Sequence, residues 1–220
     1  MNHYHKRLEE IKNLGSIDFM KIKFDDANVS LRPVDESDET IKLLTEWRNK
    51  YWDGFYEKFT TTEERTRKWV RKQIIENPER ILFLIILNGE KIGHYGANRY
   101  DEKTNLAELD NAIRGVRKSH PGLIVKVEMA LLQWMFDDLK LSKVRARIWS
   151  DNYKALDLHA QTGCRIVGNV PFKRTRTGDD LRYEEIQLKS EMEFADRYEL
   201  IVETTPERFY ALFGNKKHYY

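Results

Sequence analysis

Ile113–Leu141, IRGVRKSHPGLIVKVEMALLQWMFDDLKL, decides how the rest of the chain is read. It begins as a basic loop marked by proline and glycine (Arg114, Gly115, Val116, Arg117, Lys118, Ser119, His120, Pro121, Gly122) that opens directly into a long apolar helix. The leading amides of a helix have no intrahelical partner and sit at the positive end of its dipole, so bare amides beside Arg117 and Lys118 suit a phosphate. The other reading is an ordinary strand-to-helix connection with solvated charges. Lys126, Gln133, Asp137 and Lys140, spaced by seven, four and three, make one narrow polar stripe. Leu123, Ile124, Val127, Ala130, Leu131, Trp134, Met135, Phe136 and Leu139 cover most of the remainder, so this helix is buried on more than one side, against a sheet.

Upstream, Thr104–Arg114 reads as a strand whose strict alternation puts Leu106, Glu108, Asp110 and Ala112 on one face and Ala107, Leu109, Asn111 and Ile113 on the other. Two carboxylates therefore share a face just before the basic loop. Before them, Ile81–Leu87 and Lys91–Tyr100 flank Asn88-Gly89, which supplies the positive φ values of a two-residue hairpin turn. Val29–Val34 reads as a first strand, followed by a helix carrying Ile41, Leu44 and Trp47. Thr61 and Glu64 have the spacing of a capping box for a second helix that ends before Pro78. Between these helices Tyr51, Trp52, Phe55 and Tyr56 form either a pocket wall or an aromatic plug of the core.

Downstream, Val144–Trp149 alternates again, Ser150, Asp151 and Asn152 offer caps, and a short helix through His159 stops at Gly163. Cys164–Val170 and Leu181–Leu188 close the order as a strand pair, joined by a basic loop carrying Lys173, Arg174, Arg176 and Gly178. Residues 1–28 carry a short amphipathic helix and form an N-terminal extension, 29–189 the main domain, and 190–220 a C-terminal extension without a motif. The aromatic C-terminus (Phe209, Tyr210, Phe213, Tyr219, Tyr220) reads as an exposed patch open to a partner, which admits a homodimer.

With 38 basic and 36 acidic residues, the formal net charge of +2 argues against a protein built to coat nucleic acid. The single cysteine, Cys164, excludes an intramolecular disulfide and a multi-cysteine zinc site, and no metal is expected. Neither a secretion signal nor an apolar run of spanning length is present, so a cytoplasmic protein with no membrane partner is expected.

Over about residues 29–188 these features resemble the GNAT superfamily of acyl-CoA-dependent N-acetyltransferases. That family carries a loop of the pattern Q/R-x-x-G-x-G/A after its fourth strand. Arg117, Lys118, Ser119, His120, Pro121 and Gly122 agree at the first and last positions, with His120 replacing the middle glycine. Its asparagine after the fifth strand, followed by a short helix ending in Gly-Phe, is similar to Asn152 through Gly163 and Cys164. The resemblance implies a mixed α/β (α+β) fold with a mostly antiparallel sheet of about seven strands, splayed between strands four and five. It implies acetyl-CoA as co-substrate, its pyrophosphate held by the backbone from Arg117 through Leu123 to Ile124. The splayed backbone near Asn111 and Ile113, with Asn152, would take the pantetheine arm.

The reaction implied is direct attack of a neutral amine on the thioester carbonyl. It requires a route for the amine proton, stabilisation of the oxyanion and a proton for the thiolate. Glu108 or Asp110 is the candidate base. His159 stands where many members have a tyrosine acid, with Tyr153 as the alternative donor. Trp47-Arg48-Asn49 and its spacing to Thr61–Glu64 and Trp69 resemble the branch that includes ribosomal-protein N-terminal acetyltransferases and amino-sugar acetyltransferases of surface polysaccharide synthesis. Ser119-His120-Pro121-Gly122 lies nearer the nucleotide-linked amino-sugar enzymes. The expected acceptor is accordingly a small amine, a nucleotide-linked amino sugar, with Tyr51 and Phe55 stacking and Arg48 or Arg174 meeting its phosphates. The alternatives are a protein N-terminus, a polyamine or an aminoglycoside, or a non-catalytic acyl-CoA-binding module.

Overall fold

The computed structural model describes every residue except Met1, 25–26, 118–119, 178–179 and 189–192. In chain order the elements are α1 (His3–Lys12), β1 (Met20–Ile22), β2 (Val29–Pro33), α2 (Asp38–Lys50), β3 (Glu57–Lys58) and α3 (Glu63–Trp69), which runs on as a π-helical turn, Val70–Ile75. Then come β4 (Ile81–Leu87), β5 (Glu90–Asp101), β6 (Leu106–Arg114), α4 (Leu123–Asp137), β7 (Lys143–Trp149) and α5 (Tyr153–Gln161). The chain ends with β8 (Arg165–Thr177), β9 (Asp180–Glu185), β10 (Arg197–Thr204) and α6 (Pro206–Phe213). No helix among the described residues is long and apolar enough to cross a membrane.

All ten strands join one sheet in the order β1-β2-β4-β5-β6-β7-β10-β8-β9-β3. The class is the expected mixed α/β one, but the strand count exceeds seven. β1 and β3 span three and two residues, too few to leave an alternation pattern, and β10 lies in the stretch read as an extension. β10 pairs with β7 on one side and β8 on the other, so residues 197–204 are a central strand. Likewise α1 sends Tyr4, Leu8 and Ile11 into the main core.

β4 shows why its sequence is continuously apolar: both faces of the sheet are covered. Ile81, Phe83, Ile85 and Leu87 enter the core shared with α1 and α4, whereas Leu82, Leu84 and Ile86 enter the core under α2 and α3. In the first core Trp134 meets Phe83 edge to face at 5.7 Å. Each such side chain contributes about 1.5–3 kcal/mol by leaving water.

The Asn88-Gly89 hairpin forms as expected, with φ of 50° and 86°. Other expectations change. Thr62, not Thr61, caps α3, accepting from the Arg65 amide. Lys173, Arg174 and Arg176 are not in a loop but in β8, opposite Glu184, Tyr183 and Leu181 of β9; Gly178 lies outside the described residues. The C-terminal aromatics are not a surface patch either. Phe209 is fully buried, Tyr210, Phe213 and Tyr219 pack on the main core, and only Tyr220 is largely exposed.

Candidate active site

The site begins where β6 and β7 part. They pair in parallel from Leu106–Lys143 to Leu109–Ala146 and then diverge, so that among the described residues the ladder between the two strands ends at Leu109 and Ala146. A bulge sets the divergence. Between Gly96–Asp110 and His94–Ile113, β6 holds one residue more than β5, and Asn111 adopts φ of 53°. Strict alternation therefore fails after Asp110. Ala107 and Leu109 face the α4 core as expected, but Ile113 packs in the opposite core with Trp47 and Val70. His94 secures the bulge: its Nδ1 donates to the Asn111 carbonyl at 2.7 Å. Burial pushes this imidazole down to about 4, so it is neutral and carries its proton on Nδ1.

The basic loop leaves β6 under tight control. Tyr51 donates to the Arg114 carbonyl at 2.8 Å, Lys50 to the Gly115 carbonyl at 3.0 Å, and the Val116 amide to Ile92 at 2.9 Å. A Cβ on Gly115 would lie 2.0 Å from the Trp47 ring, which explains the glycine. At the far end Gly122 caps α4 with φ of 76° and open space around it. The Leu123 amide bonds to His120, while those of Ile124 and Val125 precede the first helical carbonyl able to receive them.

An open cleft of about 1610 Å³ runs from this helix start through the splay to the loop between α2 and α3. It gathers most of the sequence-derived candidates: Arg48, Tyr51, Phe55, Glu108, Asp110, Asn111, Ile113, Arg117, Gly122, Leu123, Ile124, Asn152 and His159. Asn152 also caps α5, accepting from the Ala155 amide at 3.2 Å. Three candidates lie elsewhere. Tyr153 is 76% exposed on the outer side of α5, Arg174 is exposed on β8, and the His120 ring packs against Phe24. Lys118 and Ser119 lie outside the described residues.

Glu108 and Asp110 face the α2 and α3 side, opposite Ala107 and Leu109. Each has an arginine: Arg99 at 3.2 Å from Glu108, and Arg80 on Asp110, which also accepts from Asn111 at 2.9 Å. A third cleft carboxylate, Glu199 of β10, accepts from the Tyr56 hydroxyl and lies 3.0 Å from Arg147 Nε; burial raises its pKa. Arg48 and Arg65 differ from these, because neither pairs with a carboxylate among the described residues. Arg48 stacks over Phe55 at 3.8 Å and Phe59 at 4.8 Å, and Arg65 stacks over the same Phe59 at 4.2 Å. Arg48 gives one nitrogen to the Glu57 carbonyl at 2.6 Å, while its buried Nη1 meets no acceptor among the described residues. Burial, then repulsion from Arg65, lowers the Arg48 pKa, against the pull of Glu57.

Across the splay, on the α4 side, is a group that the periodic reading overlooked. Glu128 is wholly buried; Oε2 accepts from Tyr95 at 2.8 Å, and Oε1 accepts from the Thr162 hydroxyl and faces His159 Nδ1 at 2.8 Å. A signal existed in the sequence. Glu128 is the lone acid on the apolar side of the helix, two residues and over half a turn from the stripe that starts at Lys126. Cys164 lies beside it, and burial together with the Glu128 charge pushes its thiol up to about 12, far from a nucleophilic thiolate. Donor atoms of Glu128, His159 and Cys164 fall within 4.8 Å of one another. The 2.8 Å contact is hydrogen-bond spacing, however, whereas a tetrahedral metal holds its ligands more than about 3 Å apart.

Residues 28–165 match the family described as acetyltransferase (GNAT) domain. The chain belongs to the GNAT acetyltransferase family. Among similar proteins, the aminoglycoside N(6′)-acetyltransferase type 1 of Serratia marcescens is 22% identical over 174 residues, 72% of this chain and 85% of that protein. A GNAT-family acetyltransferase structure from Bacillus anthracis is 19% identical, covers 86% of this chain and 99% of its own, and has a TM-score of 0.62. A spermidine N-acetyltransferase from Vibrio cholerae, solved with CoA and spermine, is 14% identical, with coverage of 82% and 97% and a TM-score of 0.64. Likenesses this distant speak for the GNAT fold alone. As a member of the family, the chain is an acetyl-CoA-dependent N-acetyltransferase.

Proposed function

We propose that this GNAT enzyme acetylates the amine of an anionic small acceptor, a nucleotide-linked amino sugar. The Arg48–Arg65 pair carries the reading. Two cations stacked on one shared aromatic ring, Phe59, one of them with a buried N–H that meets no acceptor among the described residues, form an incomplete site that a phosphate completes. Phe55 and Tyr51 offer flat surfaces to a sugar or base. The names of the relatives point to cationic aminoglycosides and polyamines, but such acceptors would be repelled by this end of the cleft, whose carboxylates Asp53, Glu57, Glu108, Asp110 and Glu199 are each matched by a lysine or an arginine.

Acetyl-CoA enters from the other end, its pyrophosphate at the α4 start between Gly122, Ile124 and Arg117, and its pantetheine arm along the freed edges near Asn111, Ile113 and Asn152. The amine then approaches the thioester from the α2 and α3 side. Glu108 takes the amine proton through water, since Asp110 is held by both Arg80 and Asn111. His159, on the far side of the splay, faces the sulfur. The test is steady-state kinetics of Arg48→Ala and Arg65→Ala with a uridine-diphosphate-linked amino sugar. Each should raise acceptor KM at least about tenfold, the worth of one charge-assisted contact of roughly 1.5–3 kcal/mol, and leave KM for acetyl-CoA unchanged. Equal rises in both constants would place the pair on the CoA side and remove the argument for an anionic acceptor.

A further inference from the structure

The quartet of Glu128, Tyr95, Thr162 and His159 is not explained by packing. A carboxylate with no solvent exposure is costly unless its lone pairs are met. Its partners are all donors. The Tyr95 hydroxyl takes Oε2, the Thr162 hydroxyl takes Oε1, and the third donor is His159 Nδ1–H. With Nδ1 committed inward, the other ring nitrogen, Nε2, makes no hydrogen bond among the described residues, and His159 lines the cleft.

We infer that Glu128 is a positioning residue for His159: it fixes the ring with Nδ1–H inward and Nε2 toward the cleft, from where the protonated ring donates Nε2–H to the departing CoA thiolate. This inference rests on the acetyl-transfer reading above. As the amine nitrogen bonds to the carbonyl carbon and the C–S bond breaks, the bonding pair leaves on sulfur and the Nε2 proton joins it. The proton released by the new amide nitrogen leaves through Glu108 and water, and solvent returns one to Nε2. The products are the amide and the CoA thiol.

The ionisable groups around the ring are few. Glu128 comes from α4, Tyr95 from β5, Cys164 from the turn into β8, and Arg208 of α6 bonds to the neighbouring Gly163 carbonyl at 2.5 Å. Tyr95 and Cys164 are held neutral by burial.

The test compares Glu128→Gln, His159→Phe and the double variant, with acetyl-CoA and whichever amine the wild type acetylates. Glu128→Gln keeps the shape and removes the charge. It should lower kcat about tenfold to a hundredfold near neutral pH and leave KM for acetyl-CoA within about twofold. In the His159→Phe background the same change should cost less than about twofold, because Glu128 then has no ring to position. An equal loss in both backgrounds would overturn the inference and make the carboxylate a structural prop. Nitrogen-15 NMR of the wild-type imidazoles, with His159→Phe for assignment, tests the geometry without any acceptor and without a folded Glu128 variant. The neutral His159 ring should carry its proton on Nδ1, and a proton on Nε2 would refute the arrangement. A wild type that acetylates no amine yet shows the Nδ1–H ring would sink the acetyl-transfer reading alone.

Discussion

Gly122 bears the most conformational weight of any single residue at the CoA end. Its φ of 76° is costly for a side chain with a Cβ, although nothing within 4 Å would be touched. Gly122→Ala should therefore cost about 1–2 kcal/mol of stability through the backbone alone, measured by urea unfolding. It should also weaken acetyl-CoA binding in calorimetry, because the capping turn aims the Ile124 and Val125 amides. At this scale the sequence spoke unevenly. Arg48, Phe55, Glu108, Gly122 and His159 stood out by residue type and motif and meet in one cleft. Arg65 and Phe59 did not, since a ring eleven residues and a cation seventeen residues from Arg48 leave no local pattern. Tyr153 and Arg174 were candidates by chemistry alone, and helix phase and strand register turn them outward.

At the scale of the element, the β6 bulge creates the splay, and His94 binds stability to pH through it. Its pKa is about 4 in the folded protein against an ordinary 6.5, so between those values the unfolded chain holds more protons. Stability from this group is complete above about pH 6.5 and falls as pH drops toward 4, by up to roughly 3 kcal/mol. His218, lowered by burial and by neighbouring lysines, acts in the same direction. Denaturant unfolding at successive pH values should show the loss, and His94→Gln, which still donates to Asn111, should flatten it. The bulge was not legible in advance, because it is decided by pairing with β5 and not by residues 104–114 themselves. The Asn88-Gly89 hairpin was, because the chemistry of its turn is local.

At the scale of the whole molecule, the C-terminal segment holds the sheet together. β10 lies between β7 and β8, and Val202 and Phe209 enter the main core, so a chain ending at residue 189 would expose two strand edges and empty that corner. Such a truncation should show no cooperative thermal transition in circular dichroism; a transition like that of the full chain would mean that β10 and α6 are accessory. Sequence reading separated this segment because β10 pairs with strands far away in sequence and carries no motif. The order of strands and helices was legible from the periodic segments, and the α/β class followed from the family resemblance that this order helps to carry.

The measurement that bears most directly on the account is the initial rate of CoA release from acetyl-CoA with three acceptors side by side: a uridine-diphosphate-linked amino sugar, spermidine and kanamycin. The arginine-lined cleft predicts the highest kcat/KM for the nucleotide sugar, by at least about a hundredfold, with its advantage shrinking as salt screens the phosphate contacts. A preference for spermidine or kanamycin would contradict the anionic acceptor, and no release with any of the three would contradict acetyl transfer to amines of these classes.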